Sequence, residues 1–130
     1  MNETIRDLSI EATQSSPHVE GSWQEGLLRM RGESYPENSY ALYAQILAWL
    51  DGFLQESQRP LLLDLELNYL NTSSVRAMIE VFDRLQQVAD RGREVRVQWR
   101  YDIRNPRAAE LGEEFREDYS FAFAIQPIEP

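Results

Sequence analysis

Hydrophobic and polar residues alternate along several stretches of the chain, and this pattern predicts β-strands. In the clearest stretch, residues 61–69, the odd-numbered positions are all apolar, while the positions between them include Asp64, Glu66 and Asn68. A strand of this kind buries one face and leaves the other in water, so Tyr69 is predicted to face the core. Further strands are predicted at 27–31, 95–101 and 120–126, and shorter ones near 5–10 and 17–23.

Apolar residues recur at intervals of three and four in other parts of the chain, which is typical of amphipathic helices. Three helices are predicted, at about 37–56, 73–91 and 106–118. The first would begin with a capping box between Ser34 and Glu37, with Pro36 in its first turn. The second would bury a stripe that includes Ile79, and Asn105 would cap the third.

Strands and helices alternate from residue 27 onwards, which predicts parallel neighbouring strands joined by right-handed crossovers. Strands covered on both faces would be continuously apolar, whereas these alternate, so the helices are predicted on one face. The expected fold class is α/β, with a mixed sheet of five or six strands and three helices packed mainly on one face. The 130 residues are most simply a single domain, because no linker or repeat divides them.

The polar positions of the predicted strands define the other face of the sheet. The strand at 61–69 presents Asp64 and Glu66 there, and its two predicted neighbours present basic residues. These basic residues are Arg29, Arg31, Arg96 and Arg100. If acidic and basic strands lie side by side, ion pairs of about 0.2–1 kcal/mol each would cover this face. A solvated charged face and a face that binds a partner both fit the pattern.

Composition excludes several classes of protein. The net charge of -9 argues against nucleic acid as a general partner. No apolar run approaches the roughly 20 residues of a membrane span, and the N-terminus lacks the apolar core of a signal peptide. The absence of cysteine excludes thiolate metal sites and disulfides and fits a cytoplasmic protein. The sequence has no glycine-rich loop of the kind that binds nucleotide phosphates, and no nucleophile-elbow motif for which the single histidine could act as the base. No cofactor is predicted.

The sequence Tyr-Leu-Asn-Thr-Ser-Ser at residues 69–74 lies where the strongest predicted strand ends and a helix begins. Asn71, Thr72 and Ser73 would therefore lie beside unpaired backbone N–H groups and the positive end of the helix dipole. Such a place suits a phosphate, whether a ligand brings it or the chain itself carries it. Helix capping explains the same residue types, since Asn, Ser and Thr are favoured N-cap residues. Residue types alone leave both interpretations open.

Four segments, in order along nearly the whole chain, resemble the SiaC family of bacterial regulatory phosphoproteins. They are residues 69–74 followed by Arg76, Met78 and Phe82; Ser34-Tyr35-Pro36-Glu37-Asn38-Ser39-Tyr40; Trp99-Arg100-Tyr101-Asp102; and residues 110–117 around Gly112-Glu113-Glu114-Phe115. That family resembles the anti-sigma-factor-antagonist (STAS) fold, in agreement with the one-sided sheet. The turn here lacks the glycine of the Asp-Ser-Ser-Gly pattern found in sigma-factor antagonists, so their binding modes are not transferred.

The resemblance implies a non-enzymatic phospho-switch. A partner protein kinase would phosphorylate Thr72, with Ser73 and Ser74 as rival acceptors, and a PP2C-type phosphatase would remove the phosphate. The unphosphorylated form would bind and activate a diguanylate cyclase and so control cyclic di-GMP, aggregation and biofilm formation. The residues expected to bind partners are Tyr35, Pro36, Glu37, Asn38, Tyr40, Asn71, Ser73, Ser74 and Arg76.

Two other functions compete with the switch. A small acid–base or metal-assisted enzyme could use Asp102 and the carboxylates of residues 110–118, although their spacing does not support a metal site. A constitutive scaffold or dimerisation module could bind through the polar face of the sheet. In that case, charge reversal at Arg96 and Arg100 would break assembly whatever the state of Thr72.

Overall fold

A computed structural model describes residues 6–128, which form a mixed β-sheet with helices on one face. Within these residues there are six strands and three helices, which confirms the predicted fold class. The strands are β1 (Leu8–Ile10), β2 (His18–Ser22), β3 (Leu27–Ser34), β4 (Leu61–Leu70), β5 (Val95–Tyr101) and β6 (Ala122–Pro127). The helices are α1 (Ser39–Glu56), α2 (Thr72–Ala89) and α3 (Pro106–Glu117). The strand predicted near 5–10 is observed from Leu8, and Ile5 lies outside the described residues.

The order of strands in the sheet follows their order in the chain. The first three strands are antiparallel, and β3 to β6 are parallel. Gly26, with φ +66°, lies in the hairpin turn between β2 and β3. Each helix connects two parallel neighbours, and right-handed crossovers of this kind place all the connecting helices on the same face. The carboxyl ends of the parallel strands therefore meet at one end of the sheet.

The hydrophobic core lies between the sheet and the helices. Large aromatic side chains fill it, and Trp99 and Phe82 are fully buried. Helix α3 approaches the sheet through Gly112, where an added Cβ would lie 2.6 Å from the Trp99 ring. The indole N–H of Trp99 also donates to the Ala108 carbonyl at 2.8 Å, so this helix and β5 fit together closely.

A β-bulge interrupts the alternation near the end of β4. Gly32 of β3 pairs with Leu67 and Glu33 pairs with Tyr69, so Asn68 is an extra residue in β4. The side chains after Asn68 exchange faces, so Leu70 is buried and Tyr69 is 53% exposed. The prediction that Tyr69 faces the core is wrong because a bulge reverses the alternation that the sequence pattern extrapolates.

Helix α2 buries a stripe that overlaps the predicted one but leaves out Ile79. Its buried residues are Ser74, Ala77, Met78, Val81, Phe82 and Leu85. Ile79, predicted to be buried, is 40% exposed. The small side chains of Ser74 and Ala77 let the first turns of α2 lie close to the rest of the domain. This contact face excludes Ile79, which points outward.

The sheet face without helices, called the open face, carries the predicted cross-strand ion pairs. The Asp64 carboxylate accepts a hydrogen bond from the Arg29 guanidinium on β3 at 3.2 Å and forms a salt bridge with the Arg100 guanidinium on β5 at 3.0 Å. Asp64 was predicted to be solvated on this face, but the two guanidinium groups cover it and it is buried. Arg31 lies opposite Glu66 in the β3–β4 register.

We expect Asp64→Asn to lower the free energy of unfolding by about 1–2 kcal/mol, because two arginines would face a neutral amide. The arginine side chains are 37% and 45% exposed, so water limits the cost. Urea denaturation measures the change, with Glu66→Gln on the same strand as the control, expected to change stability by less than about 0.5 kcal/mol. Equal losses in the two variants would contradict the central role of Asp64.

Candidate functional site

The carboxyl ends of β3 and β4 bring together the two segments that the sequence analysis singled out. Strand β3 ends at Ser34 and β4 ends at Leu70, and the two strands are parallel neighbours. The backbone N–H of Asn71 donates to the Ser34 carbonyl at 2.9 Å. The loop before α1 and the turn before α2 therefore lie side by side.

The first helix begins later than predicted, and its cap is a different residue. Asn38 is the N-cap, with its side-chain oxygen accepting from the Ala41 N–H at 3.0 Å. The predicted capping box of Ser34 and Glu37 is wrong because Ser34 is still part of β3 and is completely buried. Its hydroxyl points into the protein, and Pro36 lies in the loop rather than in the helix.

Three buried hydroxyl groups connect β3, α1 and α2 beneath this surface. The Ser34 hydroxyl lies 2.9 Å from the Tyr43 hydroxyl and 2.7 Å from the Ser74 hydroxyl. Burial raises the pKa of Tyr43, so its hydroxyl stays neutral at physiological pH. Each hydroxyl forms a hydrogen bond with at least one of the others, and a buried hydroxyl without a hydrogen-bond partner would be energetically costly. The network therefore fixes the first turn of α2 and keeps Ser74 away from solvent.

A second set of hydrogen bonds lies at the surface and involves Ser73. Asn71 is the N-cap of α2, and its side-chain oxygen accepts from the Ser74 N–H at 2.9 Å and from the Ser73 hydroxyl at 3.2 Å. The Ser73 hydroxyl also lies 2.6 Å from the Ser39 hydroxyl in the first turn of α1. Ser73 thus links the two helix starts, and both sides of its hydroxyl are engaged.

Thr72 differs from the other two hydroxyl residues of the turn. It is the first residue of α2 and is exposed. Among residues 6–128, no protein group forms a hydrogen bond with its hydroxyl, whereas those of Ser73 and Ser74 are bound. Because Asn71 already caps the helix, capping does not account for Thr72. Its side chain is accessible and has no evident structural task.

Exposed tyrosines accompany the turn. The exposed fractions are 83% for Tyr40, 53% for Tyr69 and 39% for Tyr35. Tyr35 and Tyr69 pack edge to face, with ring centroids 6.1 Å apart, and the Tyr35 hydroxyl donates to the Gln14 carbonyl at 2.9 Å. The bulge at Asn68 makes this pair possible, because it turns Tyr69 outward. Clustered exposed aromatics are typical of surfaces that bind other proteins.

A groove of about 240 Å³ runs between the first turns of α1 and α2, and is called the α1–α2 groove. Its floor is apolar and consists of Tyr43, Ala44, Leu47 and Ala77. Its rim is polar and consists of Ser39, Tyr40, Ser73, Arg76 and Glu80. An apolar floor with a polar rim suits a side chain from another protein better than it suits a polar metabolite.

Asp102 and the acidic residues of α3 do not form an acid–base site. The side chain and backbone N–H of Arg104 bind the Asp102 carboxylate and lower its pKa to about 2. A carboxylate with this pKa is ionised at neutral pH and is a weak proton acceptor. The described part of the chain contains no group of three or more His, Asp or Glu residues placed to hold a metal ion.

None of the helices described is long and apolar enough to span a membrane.

The sequence analysis assigned no role to Tyr43 and Ser39, whose hydroxyls the structure connects to Ser34 and Ser73. Tyr43 lies within the helix predicted at about 37–56, and its hydroxyl was not assigned a partner. One signal could have found it: Ser34 and Ser74 lie near the carboxyl ends of two strands predicted to be neighbours, and buried hydroxyls need partners. The Ser39–Ser73 contact depends on the pairing of β3 with β4 and leaves no local pattern.

Comparisons with known proteins give a consistent result. The family model described as SiaC family regulatory phosphoprotein matches residues 10–128. An uncharacterized protein of Pseudomonas aeruginosa (strain UCBPP-PA14) is 57% identical over 122 residues, which span 94% of this chain and 97% of that protein. The crystal structure of apo-SiaC from Pseudomonas aeruginosa is 56% identical, with a TM-score of 0.89, and the match covers 92% of this chain and 98% of that one.

A second crystal structure from Pseudomonas aeruginosa contains the diguanylate cyclase SiaD in complex with its activator SiaC. The matching chain is 56% identical, with a TM-score of 0.92, and the match covers 94% of this chain and 100% of that one. At this identity and coverage, the likeness extends over nearly the whole chain.

Proposed function

This chain belongs to the SiaC family of regulatory phosphoproteins, and we propose that it is a phospho-switch acting through Thr72. As a member of this family it is a regulatory protein and not itself an enzyme. A partner protein kinase phosphorylates Thr72, and a PP2C-type phosphatase resets it. The unphosphorylated form binds and activates a diguanylate cyclase, which raises cyclic di-GMP and promotes aggregation and biofilm formation.

The observation that carries the proposal is the contrast between Thr72 and its two neighbours. Thr72 is exposed, and within residues 6–128 its hydroxyl has no protein partner, whereas Ser73 is bound to Ser39 and Ser74 is buried. A kinase needs an accessible hydroxyl, and phosphorylation of Ser74 would require the first turn of α2 to open. A phosphate on Thr72 would add about -1.5 to -2 charges at the favourable, positive end of the helix dipole.

The proposed cyclase-binding surface surrounds Thr72 at the carboxyl end of the sheet. The α1–α2 groove and the exposed tyrosines supply the apolar contacts, and the loop before α1 supplies polar ones. The proposed contact residues are Tyr35, Pro36, Glu37, Asn38, Tyr40, Asn71, Ser73 and Arg76, with the buried Ser74 acting through the position of α2. The complex of SiaC with SiaD supports a cyclase as the partner, because the matching chain shares this fold and 56% of its residues.

The first test is to map the phosphate. The purified protein is incubated with ATP and a candidate kinase, and intact mass and peptide mapping follow the product. We expect one phosphoryl group on Thr72, none in Thr72→Ala, and unchanged stoichiometry in Ser73→Ala, which removes the neighbouring exposed hydroxyl. An active kinase that leaves Thr72 unmodified would refute the phospho-switch.

A further inference from the structure

We infer that Arg76 is the residue for which the phosphate on Thr72 and the partner compete. The inference rests on the proposed function, in which Thr72 is phosphorylated and the groove beside it binds the partner. Arg76 is exposed on α2 four residues after Thr72, and it lines the rim of the α1–α2 groove together with Tyr40 and Ser73. It is therefore placed between the modified residue and the docking groove.

Arg76 is the basic residue of a groove in an otherwise acidic protein. The chain carries 22 acidic and 13 basic side chains, and Glu80 is the acidic residue of the same rim. In the part of the chain described, no carboxylate lies within 4.0 Å of the Arg76 guanidinium. Arg84, two turns further along α2, is instead bound to Asp51 at 2.8 Å. The guanidinium of Arg76 is thus available to an anion from outside the domain.

Helix geometry brings Arg76 within reach of a phosphate on Thr72. Side chains four residues apart are neighbours on a helix, with Cβ atoms roughly 5–6 Å apart. Long side chains also point back toward the helix N-terminus, which directs Arg76 toward Thr72. Arginine binds phosphate oxygens through paired, charge-assisted hydrogen bonds. A phosphate at Thr72 would therefore bind Arg76 within the same helix.

The groove also specifies the chemistry of the partner segment. Its apolar floor takes an aliphatic or aromatic side chain, and Arg76 at the rim takes a carboxylate from the same segment. In the unphosphorylated protein, Arg76 binds that carboxylate. After phosphorylation, the phosphate is held next to Arg76 at a high effective concentration and occupies it. The rim is then left with the phosphate and Glu80, which repel the incoming carboxylate.

A ³¹P NMR titration tests the contact without depending on any kinase, since phosphothreonine can be placed at position 72 by genetic-code expansion. The second pKa of the phosphate, ordinarily about 6, should be about half a unit lower in the wild type than in Arg76→Gln, because the guanidinium stabilises the dianion. Arg76→Lys should restore part of the shift. Arg84→Gln on the same helix is the control and should leave this pKa unchanged. The other titratable residues that line the groove with Arg76 are Glu80, Tyr40 and Tyr43, and they are the same in all variants.

Binding of the diguanylate cyclase to the same proteins completes the test. Unphosphorylated Arg76→Gln should bind about tenfold more weakly than the wild type, through the lost charge-assisted hydrogen bonds. Phosphorylation should then weaken the wild type more than it weakens Arg76→Gln, because both changes remove the same interaction. Equal pKa values, or equal losses on phosphorylation, would overturn the role of Arg76 and leave the phospho-switch intact. No loss on phosphorylation in the wild type would overturn both.

Discussion

Thr72→Asp should weaken binding of the diguanylate cyclase by at least about tenfold, whereas Thr72→Ala should bind as the wild type does and resist phosphorylation. A carboxylate at this position meets the proposed docking surface at the edge of the α1–α2 groove, and one unfavourable charge contact of about 1.4 kcal/mol accounts for a tenfold loss. Full phosphorylation adds more charge and bulk, so its effect should exceed that of aspartate. Calorimetry with the purified cyclase, together with its rate of cyclic di-GMP synthesis, measures both variants.

Ser120→Asp is the matched control for added charge. Ser120 is exposed in the loop before β6, at the opposite end of the sheet, so this variant should bind the cyclase within about twofold of the wild type. Equal binding by Thr72→Asp and Thr72→Ala would refute the switch. If charge reversal at Arg96 and Arg100 then abolished assembly in every variant, the constitutive module that binds through the open face would replace it.

Gly112→Ala is expected to lower the free energy of unfolding by about 2–3 kcal/mol, although alanine is the better helix former. The added Cβ would lie 2.6–2.9 Å from three atoms of the Trp99 side chain. Trp99 cannot move aside easily, because it is fully buried and its indole N–H donates to Ala108 of the same helix. Thermal and urea unfolding measure the change.

Gly52→Ala is the matched substitution in α1 and should have the opposite sign. An added Cβ there comes no closer than 3.8 Å to Trp23, which is ordinary contact. Removing a glycine from a helix interior should therefore raise stability by about 0.5–1 kcal/mol. If both variants are stabilised, the close approach of α3 to Trp99 is not a constraint on this fold.

The packing of α3 also reaches the proposed docking surface. Asn105, the N-cap of α3, donates from its side-chain amide to the carbonyl of the bulge residue Asn68 at 3.0 Å. The bulge in turn directs Tyr69 to the surface beside Tyr35. The position of α3 therefore supports the orientation of two aromatic residues that flank the Thr72 turn.

Several features of the fold could be predicted from the sequence because they depend on local periodicity. These features include the order of strands and helices, the cap at Asn105, and the position of Asp64 between Arg29 and Arg100. A period of two assigns each strand residue to a face, and alternating acidic and basic strands then pair across the sheet. The predictions for Ser34, Tyr69 and Ile79 were wrong for three different reasons. Strand β3 continues through Ser34, the bulge turns Tyr69 outward, and α2 packs through a face that does not include Ile79.

By itself, the sequence determined the α/β order, the one-sided sheet, the family resemblance and the position of Thr72 between a strand and a helix. Only the tertiary structure decided which hydroxyl of that turn is exposed and without a partner in the described residues. The contacts that engage the other two join residues 40 and 34 positions apart, Ser34 with Ser74 and Ser39 with Ser73. They form because β3 and β4 pair in one register, and a shift of a single residue in a strand exchanges buried and exposed side chains.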